Sequence, residues 1–154
     1  MVIDIVKNGN INNYELEIES IKNKIYSNFT KKYIDVNVVS NIKKNTDIHI
    51  VLLDEFEDIR LIDNYEALLE KVNYNMIITE TLNVYYVEDL LKYTGRIYYK
   101  EFLLDRLIYD LDKMIKDMDK INKTDKTSKT NKVAKEVKTK RVSKLVKKEK
   151  EVKN

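Results

Sequence analysis

Five short segments of the chain are either apolar throughout or alternate between apolar and polar residues. They are Val2–Val6, Tyr33–Val39, Ile48–Leu53, Met76–Ile78 and Ile97–Tyr99. Both patterns are typical of β-strands. Ile48–Leu53 is apolar on both faces, which predicts a central strand of a parallel sheet. The alternation in Tyr33–Val39 predicts a strand with one solvated face, near an edge.

Between these segments, apolar residues recur at the spacing of a helix that buries one face. The predicted helices begin near Ile11 and then cover Leu61–Val72, Val84–Leu91 and Leu104–Ile121. Asn12 or Asn13 is expected to cap the first helix, and Gly95 to end the third. The link Ser40–Asp47 is too short for a full helix. This alternation predicts an α/β domain, a three-layer doubly wound parallel sheet of five strands with helices on both faces.

The composition excludes several kinds of site. The chain has no cysteine, one histidine and two glycines, so disulfides, thiolate or multi-histidine metal sites and a dinucleotide-binding glycine fingerprint are absent. His49 lies in a core strand, where we expect it to be hydrogen-bonded rather than catalytic. We expect no catalytic residues, no cofactor and no metal site. No apolar run approaches the roughly 18 residues of a membrane span, and no signal peptide is apparent, which favours a cytoplasmic protein.

Three residues follow predicted strands at the edge where parallel sheets bind ligands. They are Asp54 in "IVLLDEF", Thr79 in "MIITET" and Lys100 in "IYYKEF". In order and separation this set resembles the receiver domains of bacterial response regulators, over roughly residues 1–118. The resemblance implies a flavodoxin-like fold in which an aspartate accepts a phosphoryl group beside Mg²⁺, with a Thr or Ser and a Lys on the neighbouring strands.

The chain departs from the receiver pattern where Mg²⁺ would bind. Receivers carry a pair of acids after the first strand, but here Lys7 and Asn8 stand there and Asp4 lies inside the strand. Mg²⁺ needs oxygen ligands, usually carboxylates. The departures predict a degenerate pseudo-receiver that acts by protein contact. In that case Asp54 is a strand-end acid paired with Lys100, and Thr79 is a helix cap. The alternative is a phosphorylatable receiver that uses Asp54 with Mg²⁺.

Tyrosine is abundant, with 11 in the chain, and several lie around the last two predicted strands. In receivers this region is the usual partner surface, and Tyr is enriched at interfaces. We therefore expect Tyr93, Tyr98 and Tyr99 to form a partner face, with packing in the core as the alternative.

The C-terminal segment carries a basic residue at every third position. Residues 1–118 have 15 basic and 21 acidic residues, whereas residues 119–154 have 14 basic and 5 acidic, so the net charges are −6 and +9. Three-residue spacing winds around an α-helix but keeps one direction in an extended chain. The pattern predicts a disordered or partly helical tail that binds nucleic acid or another polyanion without sequence preference. The predicted contacts are Lys120, Lys123, Lys126, Lys129, Lys132, Lys135, Lys138, Lys140, Arg141, Lys144, Lys147, Lys148, Lys150 and Lys153.

The sequence thus predicts a receiver-like domain over residues 1–118 and a lysine-rich tail over residues 119–154. The functional hypothesis is a non-enzymatic regulatory or scaffolding module, whose body contacts an unidentified protein and whose tail contacts a polyanion. One alternative is the phosphorylatable receiver described above. The other is an accessory protein whose tail only keeps it soluble, folds back on the acidic body, or reflects drift in A-rich codons.

Overall fold

The computed structural model describes residues 1–8, 14–81, 83–100 and 105–125. Its centre is a sheet of five parallel strands in the order β2-β1-β3-β4-β5. The strands are β1 Val2–Lys7, β2 Asp35–Val39, β3 Ile48–Leu53, β4 Asn75–Thr79 and β5 Ile97–Tyr99. This order is that of flavodoxin-like doubly wound folds. The predicted α/β fold class is confirmed, as are the edge position of β2 and the central position of β3.

Two helices and two 3₁₀ segments connect the strands. They are α1 Glu15–Asn28, the 3₁₀ segments Ile59–Leu61 and Tyr65–Tyr74, and α2 Val84–Leu90, and a further helix, α3, covers residues 105–125. In α1 the predicted apolar stripe is buried through Ile18, Ile21 and Ile25. This helix starts after Tyr14, which makes no side-chain capping bond, and the expected caps Asn12 and Asn13 lie outside the described residues.

The segment predicted as a helix over Leu61–Val72 is 3₁₀ instead. It begins after Asn64, which has a left-handed φ of 64°, and it is interrupted at Lys71. Lys71 has a φ of −129° and a ψ of 38°, which are not helical, so the segment does not continue as one regular α-helix.

Gly95 does not end α2 as predicted. The helix ends at Leu90, and its C-cap Leu91 keeps right-handed helical geometry. No glycine in the described residues has a positive φ, so Gly95 does not adopt the conformation of a helix-ending glycine. The N-terminus of α2 is capped by Asn83, whose side chain accepts hydrogen bonds from two backbone N–H groups.

Both faces of the sheet are covered. On one face, Val6, Val51, Leu53 and Ile77 pack in one cluster with side chains from the two 3₁₀ segments and α2. On the other face, the alternate strand residues are also fully buried, among them Ile3, Ile5, Ile50 and Leu52. As predicted, residues 40–47 contain no helix. This link is held to the residues between the two 3₁₀ segments by a hydrogen bond, in which Ile42 N–H donates to the carbonyl of Asp63 at 2.9 Å.

The chain divides into two units, Met1–Asp110 and a second unit that begins at Leu111. Both this division and the predicted domain boundary after residue 118 fall inside α3. Lys120 and Lys123, the first two positions of the lysine ladder, are helical rather than extended. The remaining ladder positions lie outside the described residues. Within the described part of the chain, no helix is long and apolar enough to cross a membrane.

Candidate functional site

The three residues predicted from the strand ends meet at one edge of the sheet. Leu53 pairs with Thr79, and Thr79 pairs with Tyr99, so β3, β4 and β5 end at the same level. Asp54 and Lys100 are the residues that follow the first and last of these strands. We call this edge, with Asp54, Thr79, Glu80, Lys100 and the adjoining Glu17, the strand-end cluster.

Lys100 is the cation at the centre of the strand-end cluster. Its ammonium lies 2.8 Å from a carboxylate oxygen of Glu80 and 3.8 Å from one of Glu17. It also lies over the ring of Tyr14, 4.6 Å from the ring centroid. Burial opposes its charge, but the hydrogen bond to Glu80 and the charges of Glu17 and Asp54 prevail and raise the pKa of Lys100. The ammonium is therefore held charged by the chain's own acids.

Glu80 carries two conflicting interactions. Burial and a hydrogen bond with the Asp54 side chain raise the pKa of Glu80, while its bond to Lys100 acts in the opposite direction. Lys100 thus forms close ion pairs with Glu80 and Glu17, whereas Asp54 raises the pKa of Lys100 through its charge alone.

The turn after β3 is held in a strained conformation. Phe56 has a φ of 54°, which is costly for a residue with a side chain. Two hydrogen bonds close the turn: Asp54 N–H donates to the Glu57 carboxylate at 3.0 Å, and Glu57 N–H donates to the Asp54 carbonyl at 3.1 Å. The Tyr86 hydroxyl donates to the Glu57 carbonyl at 2.6 Å, and its ring meets that of Phe56 edge-on at 5.9 Å. The backbone beside Asp54 is thus fixed from several sides.

Thr79 is buried beneath this turn. Its hydroxyl accepts a hydrogen bond from Thr81 N–H at 3.2 Å. Burial raises the pKa of Tyr86 to about 12, and a hydrogen bond with Thr79 partly offsets that effect. The expectation that Thr79 caps a helix is wrong, because Asn83 caps α2.

An open cleft of about 340 Å³ lies over the strand-end cluster, lined by Glu17, Glu55, Glu80, Tyr99 and Lys100. Three of the five lining residues are acids and one is a base that two of those acids already bind. The cleft therefore presents negative charge to solvent, which disfavours an approaching anion such as a phosphodonor.

The residues of this cleft do not fit the Mg²⁺ that a receiver would hold. Residues 7–13 contain no carboxylate, although a receiver needs its acid pair there. Lys100 places an ammonium between the nearest carboxylates. Across the described ranges, no group of three or more His, Cys, Asp or Glu side chains forms a metal site. No phosphoryl-transfer step is supported by this arrangement.

The predicted partner face is largely in the core. Tyr93 is 6% exposed and Tyr98 is 4% exposed, so neither offers surface to a partner. Tyr93 packs edge-on against Tyr65, and the Tyr98 hydroxyl donates to Asp110 at 2.7 Å. The alternative of core packing holds for both. Tyr99 is partly exposed and lines the cleft.

Of the predicted polyanion contacts, the structure describes Lys120 and Lys123. Lys120 lies on the last helical turns of α3 and pairs with Asp117 at 3.1 Å. The other predicted contacts, from Lys126 to Lys153, lie outside the described residues.

Sequence reasoning missed Glu80, Glu17 and Tyr14. Glu80 follows β4 directly, so the rule that located Asp54 and Lys100 would also have found it. Glu17 lies on the first turn of α1, and the Tyr14 hydroxyl donates to the carbonyl of Leu53 at 2.7 Å across 39 residues. No local pattern indicates either contact.

Comparisons with family models, with curated proteins and with solved structures find no match for this chain. The resemblance to receiver domains stays a prediction from the sequence, based on Asp54, Thr79 and Lys100.

Proposed function

We propose that this chain is a non-enzymatic regulatory or scaffolding module. In this proposal the α/β body binds a protein partner, and the lysine ladder binds nucleic acid or another polyanion without sequence preference. The observation that carries the proposal is the separation of charge, −6 over residues 1–118 and +9 over residues 119–154. An acidic body disfavours polyanions, so their binding falls to the tail.

The strand-end cluster supports a role without chemistry at that site. Its only ammonium, that of Lys100, already pairs with Glu80 and Glu17. Asp54 contributes to the raised pKa of Glu80, and within the described residues no set of metal ligands surrounds it. The paired Lys100 stabilises this edge of the sheet. The cluster offers a phosphoryl group no ammonium that is not already paired with an acid.

The exposed face of α2 supports protein contact by the body. Tyr85 is 83% exposed, and Val84 and Leu91 are also largely exposed. Val84 and Leu91 are seven residues apart, which places them on one side of a helix. An apolar helix face with acidic neighbours, here Glu88 and Asp89, suits a partner that presents apolar and basic side chains.

The tail supports polyanion contact through its regular spacing. In an extended chain, every third residue points in the same direction at intervals of roughly 9 Å. A row of ammonium groups releases counterions from a polyanion, so affinity falls steeply as salt rises. Lysine outnumbers arginine 13 to 1 over residues 119–154, which favours diffuse phosphate contact over base readout.

The test is fluorescence anisotropy with a labelled DNA duplex of arbitrary sequence, measured across a salt series. The full-length chain is compared with a variant in which the ten basic residues of the register from Lys126 to Lys153 are replaced by Gln. We expect the natural chain to bind. Its log K should fall linearly as the logarithm of the salt concentration rises, by about 0.9 per tenfold increase in salt for each phosphate contacted. The variant should lose binding.

Two matched controls separate the effects of the tail's charge, of its lysine spacing and of the α/β body on DNA binding. A tail of the same composition in shuffled order keeps the charge but not the register. Tyr85→Ser alters the proposed protein face and should leave DNA binding unchanged. If the natural chain fails to bind at low salt, the tail is solubilising and the polyanion half of the proposal is overturned. If the shuffled tail binds equally well, charge matters and register does not.

A further inference from the structure

A larger open cleft, of about 530 Å³, lies along the edge of the sheet that β5 forms, beside α3. Its lining residues are Gly95, Arg96, Ile97, Tyr98, Arg106 and Asp110, all within the unit Met1–Asp110. We call it the β5 cleft. Two arginines and one aspartate give its side chains a net charge of +1, whereas residues 1–118 together carry −6. The cleft is therefore a place where the acidic body offers positive charge to solvent.

Arg96 is anchored to the fold but is not neutralised. Its Nη1 donates to the carbonyl of Asn73 at 2.9 Å, and its backbone N–H donates to the hydroxyl of Thr94 at 3.0 Å. Thr94 is completely buried, so the backbone that carries Arg96 is fixed. Among the described residues, no carboxylate forms an ion pair with Arg96. A guanidinium has five N–H donors, so most of those of Arg96 remain for a ligand.

Arg106 is held in the same cleft by its Nε alone. This nitrogen donates to Oδ2 of Asp110 at 3.2 Å, which leaves both terminal amino groups of the guanidinium for a ligand. The guanidinium also lies over the ring of Tyr109, 5.4 Å from the ring centroid. These two contacts limit its orientation before any ligand binds.

Tyr98 shows that the two guanidinium groups act on one place. Burial and the hydrogen bond to Asp110 raise the pKa of Tyr98, while the charges of Arg96 and Arg106 both oppose that rise. Both cations therefore lie close enough to the Tyr98 hydroxyl for their charges to affect it. An anion in the β5 cleft would interact with both.

Asp110 adds an acceptor to this pair of donors. Its Oδ2 accepts from the Tyr98 hydroxyl at 2.7 Å and from Arg106. Its other oxygen, Oδ1, accepts no hydrogen bond from the described residues. A carboxylate oxygen can accept from a hydroxyl or an amino group of a ligand. The cleft thus combines cationic donors with one anionic acceptor.

This combination fits a small phosphate ester better than a long polyanion. Guanidinium groups match the geometry of phosphate oxygens, and the cleft falls in the range of roughly 300–1,000 Å³ that is common for small-molecule sites. Charges farther away than about 10 Å are largely screened at 0.1 M salt. A compact ligand therefore senses mainly the cleft, whereas a polyanion would also lie along the acidic surface of the body.

We propose that the β5 cleft binds a small phosphate monoester that carries hydroxyl groups, such as a sugar phosphate. Arg96 and Arg106 bind the phosphate, and Asp110 accepts a hydrogen bond from a hydroxyl group and orients Arg106. The site uses none of the residues to which the contacts with protein and polyanion are assigned above, so it can be tested separately from them.

The first test observes the arginines directly in the full-length protein. Labelling with ¹⁵N at arginine gives side-chain Nε–Hε signals from four residues. When ribose 5-phosphate is added, we expect the signals of Arg96 and Arg106 to shift and to saturate together. Arg60, which is already paired with Asp58, is the matched control and should not shift. No shift, or a shift of Arg141 alone, would overturn the proposal.

The second test compares affinities by isothermal titration calorimetry. Arg96→Gln should weaken the binding of ribose 5-phosphate by roughly tenfold or more, because a charge-assisted hydrogen bond is lost. Arg60→Gln removes an arginine that is already paired and should leave the affinity unchanged. The tail variant described above should also bind as the natural chain does. Equal binding by Arg96→Gln, or loss of binding in the tail variant, would contradict the site.

The third test concerns the class of ligand. Methyl phosphate carries the phosphate but no hydroxyl group for Asp110, so we expect it to bind about fivefold to tenfold more weakly than ribose 5-phosphate. Equal affinity for the two would overturn the role of Asp110. In the DNA-binding assay, ribose 5-phosphate at saturation should not displace the duplex, and displacement would place the phosphate on the tail instead of in the β5 cleft.

Discussion

The two ends of the same sheet handle charge in opposite ways. At the carboxyl end, Lys100 is 20% exposed and is surrounded by Glu80, Glu17 and Asp54, so negative charge is in excess. At the amino end, register neighbours on β2, β1, β3 and β4 form what we call the polar row, Asn37, Asp4, His49 and Asn75. Asp4, His49 and Asn75 are completely buried and hydrogen-bonded. Access to solvent separates the two cases, because bulk water screens the unbalanced charges of one end and does not reach the buried groups of the other.

The two ends of the sheet therefore contribute differently, one to the register of the strands and the other to the charge at the edge where ligands bind. The polar row links four neighbouring strands through residues in exact register, so it opposes a shift of any one strand. The strand-end cluster lies where a parallel sheet binds ligands, but its cation is already paired. Within the described residues, no buried side-chain nitrogen or oxygen lacks a hydrogen-bond partner, so neither end holds a polar group that waits for a ligand.

Breaking the polar row should have the largest effect on stability. Asp4→Leu removes the acceptor of the Thr46 hydroxyl and of the Asn37 amide and leaves both donors without that partner. Each buried polar group that is left without its partner typically costs about 1–3 kcal/mol. We expect a loss of that order in the free energy of unfolding, measured by urea denaturation. Asp4→Asn keeps an acceptor oxygen and should cost clearly less, and a loss below about 1 kcal/mol for Asp4→Leu would contradict a stabilising role for these hydrogen bonds.

Removing the cation of the strand-end cluster should have an intermediate effect. Lys100→Met leaves Glu80, Glu17 and Asp54 repelling one another at a partly solvated edge. We expect a loss of about 2 kcal/mol, below the range for a fully buried pair because solvent screens part of the repulsion. Added salt should reduce the loss.

Lys24→Met is the matched control for Lys100→Met. Lys24 pairs with Asp105 at the surface, and exposed pairs of this kind contribute about 0–1 kcal/mol. If the two variants lose equal stability, the strand-end cluster has no special electrostatic role.

The smallest effect concerns Glu80 and depends on pH. Burial and the hydrogen bond with Asp54 raise the pKa of Glu80, so the folded chain holds this proton to a higher pH than the unfolded chain does. The natural protein therefore loses stability as the pH rises from the ordinary glutamate range through the raised value. Glu80→Gln removes this loss, so the stability of the variant relative to the natural chain should increase toward neutral pH, by less than the loss expected for Lys100→Met.

Asp58→Asn gives a control of opposite sign for Glu80→Gln. Hydrogen bonds from the Arg60 guanidinium hold the pKa of Asp58 below its ordinary value. The Asp58–Arg60 pair increases the stability of the natural chain as the pH rises. The stability of Asp58→Asn relative to the natural chain should therefore decrease toward neutral pH. Urea denaturation over a pH series measures both variants, and equal slopes for the two would contradict the assignment of Glu80.

Much of the fold follows from local patterns in the chain. The five strands, the apolar stripe of α1 and the absence of a helix from residues 40–47 were all predicted and are confirmed. The positions of Asp54, Thr79 and Lys100 at one edge follow from the rule that parallel strands end together. These features depend on residues close together in sequence, whose spacing indicates which face is buried.

The errors concern the places where tertiary packing prevails over local preference. Tyr93 and Tyr98 carry polar hydroxyls that suit a surface, yet their rings fill the core, and a hydrogen bond to Asp110 accommodates the hydroxyl of Tyr98. The segment Tyr65–Tyr74 has helical periodicity, yet it is 3₁₀ and is interrupted by the non-helical φ and ψ of Lys71.

The sequence by itself determined the class of fold, the order of the strand-forming segments and the division of charge between body and tail, because each is a property of composition or short-range spacing. Only the tertiary structure decided which polar residues meet. Asp4 meets Thr46 across 42 residues, and His49 meets Asn75 across 26, through the register of parallel strands. Register is set by the packing of the whole sheet, so the polar row and the carboxylates around Lys100 become visible only when the sheet is assembled.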